Sequence, residues 1–83
     1  MYTLALMPRA TKDLKKIPKA DASKIVDKLQ AMENGLVGDI KKLTNYTPEY
    51  RLRIGNYRAL FEVEENRITV YRIKHRKEAY LGR

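Results

Sequence analysis

The 83-residue chain has no cysteine and a single histidine, His75. Without thiols there is no disulfide framework and no thiolate metal site, and a reducing cytoplasm is the expected setting. A lone imidazole disfavours a metal cluster, so neither metal nor other cofactor is expected. Long apolar runs are missing too. Met1 to Arg9 holds only a short alternating stretch, less than a signal peptide or a membrane span requires, so a soluble protein without a membrane partner is expected. There is no Gly-rich phosphate loop, nucleophile elbow, paired-carboxylate site or helix-turn-helix signature. These absences disfavour NTP hydrolysis, acyl transfer, glycoside chemistry and direct reading of operator DNA. No repeat or low-complexity tract interrupts the chain, and its length fits one small domain spanning 1–83 with a modest core.

What the chain has is positive charge, unevenly divided. The net charge is +8, from nine basic against six acidic residues in 1–49 and nine against four in 50–83. Seven of the eight arginines lie between Arg51 and Arg83, whereas eight of the ten lysines lie at or before Lys42, and five of the six tyrosines fall in the second half. Guanidinium is a planar, permanently charged fork that grips phosphate through two donors, which an ammonium does not reproduce. Excess charge can simply keep a small protein in solution, but clustering of arginine points to a polyanionic partner for the C-terminal half.

Period-two alternation over Tyr2, Leu4 and Leu6 predicts a short strand ended by Pro8. Ala10, Leu14 and Ile17 recur at helical spacing until Pro18. Ala22, Ile25, Val26, Leu29 and Met32 then mark a second amphipathic helix that stops near Asn34-Gly35. Lys12, Lys15, Lys16, Lys19, Lys24 and Lys28 form the solvated face of this pair. Gly35 to Glu49 has little periodicity and is read as a long loop. Three strands follow, Tyr50–Ile54, Tyr57–Val63 and Arg67 to about His75. The expected fold is α+β, ordered β-α-α-β-β-β, a twisted antiparallel sheet with two helices packed on one face.

A two-residue loop at Gly55-Asn56 pairs Ile54 with Tyr57, Arg53 with Arg58, Leu52 with Ala59 and Arg51 with Leu60. Leu52, Ile54, Ala59 and Phe61 then share an apolar face, and Arg51, Arg53 and Arg58 share the other. Arg53 directly opposite Arg58 costs stability, a cost that an anion should relieve. Taking Glu65-Asn66 as the next turn sets Val63 beside Ile68, Phe61 beside Val70, Leu60 beside Tyr71 and Arg58 beside Ile73, with His75 on the arginine side. Strict alternation also drives Arg72 and Lys74 under the helices, so the last strand must end, bulge or run past them.

The pattern Tyr50-Arg-Leu-Arg-Ile-Gly-Asn-Tyr-Arg58, then an apolar strand, then Tyr71-Arg-Ile-Lys-His-Arg-Lys-Glu-Ala-Tyr80 resembles the RelE/ParE superfamily of bacterial and archaeal toxins. Met7-Pro-Arg-Ala10 running into Leu14-Lys-Lys-Ile-Pro18 is similar to the family's first helix. The resemblance covers nearly the whole chain. It implies either a RelE-like ribosome-dependent endoribonuclease or a ParE-like gyrase inhibitor without nuclease activity. Basic residues at alternating positions in one strand, an arginine on the next, and an arginine shortly before a C-terminal tyrosine match the RelE pattern at Arg51, Arg53, Arg58, Arg76 and Tyr80. The resemblance further implies a cognate antitoxin, mRNA and the ribosomal decoding site as partners, with operator DNA reached only through the antitoxin complex.

Cleavage of this kind uses the RNA 2′-hydroxyl as nucleophile, so the protein must assist its deprotonation, neutralise the phosphate and protonate the leaving 5′-oxygen. Arg51, Arg53 and Arg58 are the candidates for holding the phosphate and Arg76 for stabilising developing charge. Tyr71 and Lys74 join Arg51 and Arg53 as candidate RNA contacts. Arginine is a poor proton donor, and Arg51 and Arg53 stand where the best-known RelE pattern has lysines. Proton transfer therefore falls to Tyr80, whose phenol is acidified by nearby cations, or to His75 as acid, or as base if Tyr80 only stacks on a nucleobase. The plainer reading is that His75 is a surface group, that Arg51 and Arg53 pair with Glu62 or Glu78, and that Tyr80 anchors the tail. Tyr50, Tyr57 and Phe61 are assigned to structure. A noncatalytic basic RNA-binding module is the remaining reading.

Overall fold

The computed structural model describes residues 1–45 and 47–78. Its elements are β1 (Thr3–Leu6), α1 (Pro8–Lys15), α2 (Lys19–Ala31) with a 3-10 turn over Met32–Asn34, β2 (Asp39–Lys42), β3 (Tyr50–Ile54), β4 (Tyr57–Glu64) and β5 (Arg67–His75). Pro8 ends β1 and opens α1, where its fixed φ suits the first helical turn and its missing N–H is not needed. Pro18 separates the helices because it disfavours helical geometry at Ile17.

The five strands form one sheet in the order β1-β5-β4-β3-β2. Ala10, Ile25, Leu29 and Met32 from the helical layer meet Leu52, Ile54, Ala59, Phe61, Ile68, Val70 and Ile73 from the strands in one core. Phe61 is fully buried and Tyr50 stacks on it at 5.5 Å between ring centres. Each such large side chain removed from water contributes about 1.5–3 kcal/mol. The α+β class and the two covering helices agree with expectation. Among the described residues no helix is long and apolar enough to cross a membrane.

Two features of the expected sheet are corrected. Residues 39–42, read as loop, form the edge strand β2, paired antiparallel to β3 with Ile40 beside Leu52. Only Ile40 of its four residues is apolar, because an outer strand is protected by charge and has little to bury. The sheet is also mixed, not antiparallel throughout: β1 runs parallel to β5 and matches Leu4 to Ile68 and Leu6 to Val70. Alternation reports which face a side chain takes and is blind to strand direction.

The β3–β4 register is as expected through all four pairs from Ile54–Tyr57 to Arg51–Leu60. Gly55 opens that turn at φ 58°, a conformation glycine adopts without a Cβ penalty. The β4–β5 register agrees at Val63–Ile68 and Phe61–Val70 and then slips by one residue between Leu60 and Phe61. Leu60 pairs with Arg72, Ala59 with Ile73, Arg58 with Lys74 and Tyr57 with His75, in place of the expected Leu60–Tyr71 and Arg58–Ile73 pairs. The bulge resolves the conflict that strict alternation creates: Ile73 enters the core at 3% exposure, and Tyr71 is left without a cross-strand partner.

Candidate functional site

The bulge builds the site. Because it returns β5 to register with β4, the pairs Asp39–Arg53, Arg53–Arg58 and Arg58–Lys74 join into one lateral row across β2, β3, β4 and β5. Neighbouring strands lie about 4.8 Å apart, so three cations stand side by side on the face opposite the helices, with one carboxylate at the end of the row. The next row on this face is Lys41, Arg51, Leu60 and Arg72. Leu60 is only 2% exposed although it lies outside the helix-side core. The Arg51 side chain, directly across from it in register, is 13% exposed.

Asp39 supplies the anion that the opposed arginines call for. Nη1 of Arg51 donates to the Asp39 backbone oxygen at 2.8 Å and to its Oδ1 at 3.2 Å. Nη1 of Arg53 lies 3.8 Å from Oδ2, an open and loosely held contact. The partner is therefore Asp39 from the unforeseen strand, in place of Glu62 or Glu78. Arg58 turns its Nη1 back onto the hairpin loop, donating to the carbonyls of Gly55 at 3.1 Å and Tyr57 at 3.0 Å. Among the described residues neither Arg58 nor Lys74 has a carboxylate within salt-bridge distance.

Arg76 follows β5 and is exposed. Its backbone N–H donates to Asn56 O at 2.6 Å, which ties the start of the C-terminal segment to the loop that Arg58 also grips. The structure thus brings Arg51, Arg53, Arg58 and Lys74 onto one face and fixes the Arg76 backbone at its loop end. Tyr71 is half-buried at the bulge. Tyr80 lies outside the described residues.

His75 is moved. The slip that aligns Lys74 with Arg58 sends the next side chain to the helix side, so His75 does not join the arginine face. Its ring meets Tyr57 edge to face at 5.6 Å, and Nδ1 accepts a hydrogen bond from the Lys77 N–H at 3.2 Å. The neutral ring therefore carries its proton on Nε2. His75 lines a groove of about 380 Å³ at the end of β5 together with Tyr57, Lys16, Lys74, Glu78 and the Asp13–Arg72 pair.

Asp13 and Arg72 are not among the residues that the sequence marks as functional. Nε and Nη2 of Arg72 donate to the two Asp13 carboxylate oxygens at 2.8 and 3.1 Å, and Ile73 N–H donates to Oδ2 at 2.9 Å. Asp13 thereby fills the edge of β5 that β1 leaves open beyond Val70. Burial by itself would raise the Asp13 pKa. The hydrogen bonds from Arg72 and Ile73 and the charges of Arg72 and Arg9 outweigh it and hold the carboxyl below its ordinary value. A signal was available, since Asp13 is an acid placed within the apolar stripe of Ala10, Leu14 and Ile17.

The family model for the ParE toxin of type II toxin-antitoxin systems matches residues 4–80. A protein named Toxin RelE3, from Methanocaldococcus jannaschii, is 39% identical over 74 residues, covering 83% of this chain and 84% of its own. A chain of the RelB-RelE antitoxin-toxin complex from Methanococcus jannaschii superposes with a TM-score of 0.77 at 34% identity, over 92% of this chain and 94% of that one. A chain of the archaeal RelE-RelB complex from Pyrococcus horikoshii OT3 gives 0.78 at 26% identity, over 94% and 98%.

Proposed function

The chain belongs to the ParE toxin family of type II toxin-antitoxin systems and is RelE-like in sequence and structure, and from that premise we propose that it is an endoribonuclease that cuts messenger RNA in the ribosomal decoding site and so inhibits translation. The observation that carries this reading is the row Arg53, Arg58 and Lys74, three adjacent cations on an open sheet face with one carboxylate at the edge. A flat face of this kind suits a strand threaded past it better than a small molecule enclosed in a pocket.

In the proposed reaction the 2′-oxygen attacks the adjacent phosphorus and the 5′-oxygen of the next nucleotide leaves, giving a 2′,3′-cyclic phosphate and a 5′-hydroxyl. Arg53, Arg58 and Lys74 neutralise the nonbridging oxygens as charge builds on them, with Arg51 beside them. Arg76 adds a further donor from the loop end. Tyr80 is the first choice for taking the 2′-hydroxyl proton, and the leaving 5′-oxygen takes its proton from solvent water or from His75. The position of His75 on the other face makes it the weaker choice, and Tyr71 remains a candidate RNA contact. No metal or other cofactor takes part in this scheme.

The relatives solved as complexes with RelB support a cognate antitoxin as partner, with acidic side chains meeting the basic face. Operator DNA is reached through that complex, and the site of action is the cytoplasm. A second reading, a gyrase inhibitor without nuclease activity, is favoured by the ParE model that matches the chain. Inducible expression with primer-extension mapping separates the readings. Cuts confined to translated regions support the nuclease, gyrase-trapped DNA breaks support the second reading, and ribosome association without RNA breaks supports a noncatalytic module.

A further inference from the structure

The Asp39 carboxylate contacts both Arg51 and Arg53, and the contacts around it are unequal. Arg51 holds the backbone oxygen of Asp39 at 2.8 Å, a bond that does not depend on the carboxylate. The carboxylate itself is 54% exposed, 3.2 Å from Arg51 and 3.8 Å from Arg53. The backbone beneath it is well fixed. Gly38 sits at φ 120°, a conformation that side-chain-bearing residues rarely adopt, and a Cβ there would come to 3.0 Å from Leu52 Cδ1, so β2 begins where glycine is favoured. Asp39 is thus a firmly anchored residue with a loosely held head.

We infer that Asp39 is an internal counter-ion that an RNA phosphate must displace, and hence a residue that sets how strongly the arginine face selects for RNA. This rests on the reading that the open face binds RNA. In the unliganded protein the carboxylate offsets the repulsion between the guanidiniums and keeps weak anions out. When a polyanion arrives, the head swings into solvent while the bond from Arg51 to the Asp39 backbone remains, so the guanidinium stays aimed. Asp39 is a positioning residue, acting through Arg51 and Arg53, and needs no contact with the reacting atoms.

The test measures binding of a fluorescent, fully 2′-O-methylated single-stranded oligoribonucleotide, which lacks the nucleophilic hydroxyl and stays intact. Wild type is compared with Asp39→Asn, Asp39→Glu and Asp27→Asn; the last removes the same charge from the exposed side of α2. Asp39→Asn should bind roughly three- to five-fold tighter, with the slope of log K against log salt steeper by about 0.7. Asp39→Glu should return to within about two-fold of wild type, and Asp27→Asn should change affinity by less than about 1.5-fold at 0.1 M salt, where distant charges are screened. In a background lacking the Arg51 and Arg53 charges the Asp39→Asn gain should vanish.

Unchanged or weaker binding by Asp39→Asn overturns the inference, as does an equal gain in Asp27→Asn, which would make the effect one of net charge alone. Absence of binding by every variant overturns it as well. The outcome is separable from the nuclease reading. Transcript cuts by wild type with no Asp39→Asn gain would remove the counter-ion and keep the nuclease, whereas tighter binding without cuts would do the reverse.

Discussion

Two aspartate–arginine pairs lie on different strands of the same sheet, one on β5 and one across β2 and β3, and behave as different objects. Asp13 and Arg72 meet through two parallel bonds at 2.8 and 3.1 Å with side chains 15% and 27% exposed, and Asp13 also closes the Ile73 N–H. Asp39 and Arg53 are 3.8 Å apart and both 54% exposed. The first pair is part of the architecture: both Asp13 carboxylate oxygens accept from Arg72, and the pair holds α1 against the edge of β5. The second is one long contact with both side chains exposed to solvent. The lesson is that the number of arginines says little about function, whereas a two-bond pairing with a carboxylate separates a structural guanidinium from those without one.

The largest effect expected from this contrast is on activity. Arg58→Ala removes the middle cation of the open row and should lower the rate of RNA cleavage by roughly a hundred-fold or more, as loss of a donor to developing charge does. Its folding stability should change little, which equilibrium urea unfolding would check. The converse holds for the other pair. Asp13→Ala leaves Arg72 and the Ile73 N–H without their acceptor and should cost about 2 kcal/mol in the same unfolding experiment, a large share of the stability of so small a domain.

Acid sharpens the comparison further. The Asp13 carboxyl is held below its ordinary value in the folded protein, so its contribution is complete above the unfolded value of about 3.9 and is lost as pH falls through the folded value. The stability difference between wild type and Asp13→Asn should therefore shrink as the pH is lowered below about 4. The smallest effect belongs to the open pair: Asp39→Asn should change stability by less than about 0.5 kcal/mol, the range of exposed ion pairs. A cost near that of Asp13→Ala would erase the distinction between the two.

Legibility in the sequence followed the same division. Strands β3, β4 and β5, the Gly55-Asn56 turn and the opposition of Arg53 to Arg58 were readable, because alternating apolar residues and a two-residue loop fix the register. β2 was hidden, since an edge strand with one apolar residue has no periodicity to detect, and Asp39 was hidden with it. The need for an irregularity in β5 was foreseen from Arg72 and Lys74, but its position between Leu60 and Phe61 was not. A bulge is placed by packing of the whole sheet, here the burial of Ile73 against Ala59. That one-residue slip carried Lys74 into the cationic row and His75 out of it.

The claim that the open arginines, and not the closed one, receive RNA is tested most directly by following arginine side-chain Nε–Hε resonances while the 2′-O-methylated oligonucleotide is added. The account predicts that the Arg53 and Arg58 signals shift in proportion to saturation while Arg72, locked to Asp13, keeps its position. A shift of Arg72 as large as that of Arg53, or no movement of Arg53 and Arg58 at saturation, would contradict it.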